Sequence, residues 1–147
     1  MTRRLSLSLL VILMLGAACA DDQKTASQQK EDECRLPSPQ AGVDASLIPG
    51  GFLPPGDADV TQTEKRRGRL IAVLTLPGTI QSVLGEYRNL VNESGFDVLQ
   101  EDNEGFEAEL YLQRGRGDLA VVQIRETGCT ETMLVLLNLP SGALEDN

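Results

Sequence analysis

Proton transfer in this chain would fall to carboxylates, because its 147 residues include 22 acidic side chains and no histidine. That absence removes the usual general base near neutral pH, the Ser-His and Cys-His nucleophile pairs and most zinc or iron sites. Beyond residue 33 there is one lysine, Lys65, in a stretch read as a turn, which gives a buried Ser-Lys pair or a Schiff-base lysine little support. Phosphate-cradling loops of the GxGxxG or GxxxxGKS/T type are missing, so no nucleotide cofactor is implied. Asp57 with Asp59, and Asp97, Glu101, Asp102 and Glu104, bring carboxyl groups together in sequence, as a calcium site or a glycoside-cleaving acid pair requires. The spacing is not that of an EF-hand, there is no tryptophan to stack a sugar, and turns are commonly acidic. We therefore expect no metal site, no cofactor and no catalytic residue. A carboxylate-dependent hydrolase using Glu107, Glu109 or Asp97 is the alternative.

The basic residues are read structurally. Lys65, Arg66, Arg67 and Arg69 suit a hairpin whose cations protect a sheet edge, with anionic headgroups or an acidic protein as the sharper reading. Arg114 and Arg116, interleaved with Gly115 and Gly117, resemble one RGG-type unit, but a single copy between two strands is better explained as a turn. Asn92, Glu93 and Ser94 form a glycosylation triplet at a helix end, where the match is read as accidental.

The amino-terminal residues give the strongest functional signal. Arg3 and Arg4 precede an apolar run from Leu5 to Leu15 that then meets Gly16, Ala17 and Ala18. This is the charged, apolar and small-residue order of a signal peptide, and the run is shorter than the ~20 residues a spanning helix needs. Leu15, Gly16, Ala17, Ala18 and Cys19 together resemble the lipobox of bacterial lipoproteins. The resemblance covers only this leader. It implies a thioether-linked diacylglyceryl group on the Cys19 sulfur, cleavage before Cys19 and stable anchoring by several acyl chains. Ala20 after the cysteine, in place of a retaining aspartate, implies outer-membrane delivery if the host is Gram-negative. Ala18, Cys19 and Ala20 also spell an A-x-A site, so a secreted protein cleaved after Ala20 is a second alternative. Assigning Cys19 to lipid leaves Cys34 and Cys129 as an even pair in an oxidising compartment, and we expect them to form a disulfide.

Removing the leader leaves 11 basic against 22 acidic residues, a formal charge of −11. Such a surface opposes nucleic acid and anionic membrane as partners and favours a soluble monomer. Four segments are expected: a signal peptide over 1–18, a lipid-anchored polar tether over 19–33, a wrap over 34–57 and a folded domain over 58–147. The tether has nothing large and apolar to offset the entropy of ordering it. The wrap is punctuated by prolines and glycines from Pro37 to Gly56, which block regular structure, yet it includes Leu47, Ile48, Phe52 and Leu53.

Within the domain, apolar spacing predicts strands over 58–63, 69–76, 96–100, 106–113, 118–126 and 132–139, with a polar turn over 64–68. Ile80, Val83, Leu84, Tyr87, Leu90 and Val91 recur at helical spacing, capped by Thr79 and closed by Gly95, which predicts one amphipathic helix over 79–94. The expected fold is an α+β two-layer sandwich, a mainly antiparallel sheet of five or six strands with one helix on one face, in the order β-β-α-β-β-β-β. Phe106, Ala108, Leu110 and Leu112 share one parity and are expected on the dry face. The last two strands are apolar on both parities, so their second face needs cover. The wrap is the expected cover, with a ligand or protein partner as the alternative. These features point to a non-enzymatic cell-envelope lipoprotein, outside the cytoplasm, whose small domain binds an envelope protein or a small ligand. An assembly factor that holds a partner at the membrane is a related reading.

Overall fold

A computed structural model describes Cys34 and residues 36–141. The expected signal peptide, Cys19, the expected tether and the chain beyond Ser141 lie outside the described residues. Six strands form one antiparallel sheet: β1 (Asp59–Arg66), β2 (Arg69–Pro77), β3 (Asp97–Asn103), β4 (Glu107–Arg114), β5 (Asp118–Glu126) and β6 (Thr132–Pro140). One helix, α1 (Ile80–Glu93), joins β2 to β3, and two short 3-10 turns, Ala45–Leu47 and Gly50–Phe52, precede β1. Lateral order is β1-β2-β6-β5-β4-β3. The last described strand therefore inserts between β2 and β5.

The central strands obey the two-residue alternation of a pleated sheet. Leu70, Ala72 and Leu74 of β2, Val135, Leu137 and Leu139 of β6, and Val122 and Ile124 of β5 are fully buried on one face. Helix α1 covers that face with Ile80, Val83, Leu84, Tyr87 and Val91. Its first turn is fixed by a reciprocal capping box, in which the Thr79 hydroxyl accepts from the Ser82 amide and the Ser82 hydroxyl accepts from the Thr79 amide. Such a box satisfies two amides that otherwise have no partner at a helix start.

Cys34 and Cys129 are joined by a disulfide, with their α-carbons 4.6 Å apart. From that staple the wrap runs along the outer edge of β1, where the Gln40 amide donates to the Thr61 carbonyl and the Asp44 amide to the Thr63 hydroxyl. It then turns onto the helix side. Ile48 and Phe52 enter the main core, and the Phe52 ring meets Phe96 edge to face with centroids 5.3 Å apart. The wrap thus borders an edge and, through Ile48 and Phe52, completes the helix layer. Its apolar residues follow the turn geometry at Pro49 to Phe52, which delivers Phe52 to the gap between α1 and β3.

Three further expectations need correction. Residues 64–66 are not turn but strand, and the chain reverses over Arg67 and Gly68 alone, both with positive φ (51° and 74°). That is the backbone of a tight type I′ hairpin, and polar Glu64, Lys65 and Arg66 can remain extended because an edge strand leaves them in water. Phe106 is 58% exposed, because it lies before β4, on the turn after β3 and beyond the cover of α1. β3 runs to Asn103, three residues further than its apolar content suggests, since backbone pairing with β4 continues through Gln100–Asn103 without side-chain burial.

Candidate binding surface

Strand register decides what the second face displays. Reading across it from β2, Ile71 stands opposite Asn138, which stands opposite Val121, which stands opposite Tyr111. One row along, Val73, Leu136, Gln123 and Glu109 align in the same way, and a further row carries Thr75, Leu134, Arg125 and Glu107. The surface is therefore graded, with aliphatic side chains over β2 and β6 and charged or amide side chains over β4 and β5. Ile71, Val73, Leu134, Leu136 and Val121 are half-buried, and Leu119 is 52% exposed. Among the described residues no helix packs on this face, since α1, with Ile48 and Phe52 of the wrap, belongs to the opposite core.

Its polar half is a connected network. Arg125 Nε donates to Glu107 Oε2 at 2.8 Å, and Gln123 Nε2 donates to both Glu107 Oε1 and Glu109 Oε1 at 2.7 Å. The Tyr111 hydroxyl donates to Glu109 Oε2 at 2.5 Å, and that carboxylate holds the phenol protonated above its ordinary range. Glu107, Glu109 and Tyr111 alternate along β4, and Gln123 and Arg125 along β5, so the pleat itself places all five on one side. At the aliphatic end Arg69 reaches across three strands, donating to the Asn138 side-chain oxygen at 2.8 Å, the Asn138 carbonyl at 2.9 Å and the Leu119 carbonyl at 2.7 Å. A guanidinium makes these bonds from three separate nitrogens in one plane, a spread that the single nitrogen of a lysine does not have.

Beside the network a shallow cleft of about 290 Å³ is lined by Asp102, Asn103, Glu104, Glu107, Ala108 and Glu109. Glu107 and Glu109 are thus brought together, tied by one amide. Asp97 is not with them: it stands opposite Gln113, four residues beyond Glu109 along β4, or roughly 13 Å at the usual strand rise. Among the described residues no three acidic or thiol side chains converge in a way that would hold a metal ion. Glu101 points to the other face and pairs with Arg88 of α1, which holds its carboxyl below the usual carboxylate range. Asp57 lies in the loop before β1, exposed.

No family model matches the chain, and no curated protein matches it. The character of the surface therefore rests on its own residues. Gln123, Arg125 and Asn138 carry no signal in the sequence, because their importance depends on which strands become neighbours, and Arg69, read with Lys65 to Arg67 as an edge guard, instead lies on the interior strand β2 and reaches across the face. Parity marks Gln123 and Arg125 as facing the same way as Glu107 and Glu109 only once the β4 to β5 hairpin register is known. The serine of the glycosylation triplet serves packing. Ser94 Oγ lies 2.9 Å from the Gly51 carbonyl and 2.7 Å from that of Leu90, locking the wrap to the end of α1.

Proposed function

We propose that the protein is a non-enzymatic lipoprotein of the bacterial cell envelope, anchored through Cys19 and using the uncovered face of its sheet to bind a protein or small ligand outside the cytoplasm. The observation that carries this reading is the contiguous, half-buried aliphatic patch of Ile71, Val73, Leu134, Leu136 and Val121 on the face opposite α1, Ile48 and Phe52. An antiparallel sheet facing water on one side ordinarily alternates to polar residues there. Aliphatic side chains kept on that side fit a surface that is covered in use.

The leader and the disulfide support the compartment. A thiol pair bonded over 95 residues of sequence belongs to an oxidising space, and the cell envelope is one. Its net negative charge suits the module to envelope partners and not to nucleic acid. No helix among the described residues is long and apolar enough to cross a membrane, which is compatible with a lipid anchor as the attachment.

Intact mass spectrometry of membrane-extracted protein tests the anchor. The expected species begins at Cys19 and carries acyl chains; a free amino terminus at Asp21 would instead make the protein soluble and secreted. A photo-crosslinking side chain at Leu136 tests the face, with an adduct to one defined partner expected. Hydrolytic activity in a substrate screen, abolished by Glu107→Gln or Glu109→Gln, would replace this reading by the carboxylate-dependent hydrolase.

A further inference from the structure

The two margins of the sheet are treated differently. β1 is bordered by the wrap through the Gln40 to Thr61 backbone bond, whereas among the described residues β3 has a strand neighbour, β4, on one side only. All seven residues of β3 are exposed. Open edges are usually guarded by charge and by a bulge. β3 has both: Asp97, Glu101 and Asp102, with a register shift between Val98 and Gln100. A guard does not require exposed aliphatic side chains. Yet Val98 is 39% exposed and Leu99, the extra residue in the bulge, is 57% exposed.

The charge around this edge has one sign. Between Arg88 and Arg114 the chain carries seven acidic residues and no basic one. Glu101 is neutralised by Arg88 and Glu107 by Arg125, but among the described residues Asp97, Asp102, Glu104 and Glu109 have no ion-pair partner. Asp102 stands directly opposite Glu109, and Asp97 opposite Gln113, so the excess negative charge lies along the β3 margin of the open face. A second copy pairing through β3 would set acid against acid, which cross-strand neighbours do not tolerate well.

We propose that β3 is a docking edge for an extended, cationic segment of a partner protein, which adds as a seventh strand beside Gln100–Asn103. Its alternate Lys or Arg side chains lie over Asp97, Asp102 and Glu109 on the open face, and an apolar side chain rests on Val98 and Leu99. Main-chain hydrogen bonds supply the affinity, and the acidic margin selects the charge and repels self-pairing. This deepens the binding-module reading above and rests on it.

The test titrates the purified protein with a nine-residue peptide alternating Lys and Val, read by amide NMR and hydrogen exchange. Protection is expected at residues 100–103 with the β1 amides unmoved. N-methylation of alternate peptide nitrogens, which keeps the charge but removes strand donors, should weaken binding at least about tenfold. Asp97→Lys with Asp102→Lys should do the same, and Leu99→Ser, a milder change, should weaken binding several-fold while leaving Tm unchanged. Equal affinity for the N-methylated peptide, shifts that map to Leu134–Leu136 instead of β3, or a concentration-dependent dimer that protects β3 would each overturn the proposal. Photo-crosslinkers at Leu99 and Leu136 in intact cells separate the two readings. An adduct from Leu99 to a basic partner segment supports strand addition, an adduct from Leu136 alone overturns it and leaves the binding module, and none from either site overturns both.

Discussion

Gly50 and Gly51 are chemically identical neighbours placed in very different surroundings. A β-carbon on Gly50 meets nothing within 4 Å, whereas one on Gly51 would lie 1.8 Å from Ser94 Oγ and 2.9 Å from Ser94 Cβ. Gly51→Ala is therefore expected to destabilise by about 1–3 kcal/mol through overpacking, and Gly50→Ala to be neutral or slightly stabilising because it only restricts the unfolded chain. Urea unfolding of the two variants, read side by side, checks this. The Arg88–Glu101 pair, by contrast, is largely in water and modest in effect. Its hydrogen bond lowers the Glu101 pKa, so whatever stability it contributes is present above the ordinary carboxylate range and is lost as pH falls through the lowered value. A carboxyl NMR titration should show Glu101 protonating below the range of a free glutamate side chain, and a double-mutant cycle of Arg88→Gln with Glu101→Gln should give a coupling of only ~0.2–1 kcal/mol.

At the scale of elements, the wrap behaves as a missing piece of the helix layer. Phe52 is 1% exposed, packs on Phe96 and accepts a hydrogen bond at 3.4 Å from the buried Tyr87 hydroxyl, whose ionisation burial pushes up. Phe52→Ala is expected to cost about 3–5 kcal/mol, as for a large aromatic removed from a core. Leu36→Ala, in the exposed part of the same segment, should change stability by less than about 0.5 kcal/mol. Thermal unfolding of the pair distinguishes a docked element from a linker that merely lies on the surface. Helix α1 and strands β2, β5 and β6 are legible in the sequence because long apolar patterns set their periods. Periodicity stops short at residues 64–66 and 101–103, where polar side chains conceal strands held by backbone pairing at the margins of the sheet.

For the whole molecule, the disulfide ties the start of the described chain to the turn between β5 and β6, closing a loop of 95 residues. On the chain-entropy argument this removes about 4–5 kcal/mol of unfolded-state freedom. Cys34→Ser with Cys129→Ser should lower the urea midpoint accordingly while leaving the Phe52 resonances of the folded protein unchanged, since Phe52 is held by its own burial. By itself the amino-acid sequence determined the α+β content, a sheet of five or six strands with one helix, the dry parity of β4 from Ala108 onward and the cysteine pairing. Each of those follows from local periodicity, capping chemistry or, for the cysteines, from the pair that remains once Cys19 is set aside as the expected lipid site. Only the tertiary structure decided that β6 inserts between β2 and β5, that Ile48 and Phe52 enter the helix layer and not the second face, and that Glu107, Glu109, Gln123 and Arg125 meet. These depend on lateral strand order and register, which arise from contacts between residues far apart in the chain, where no local pattern records which partner wins.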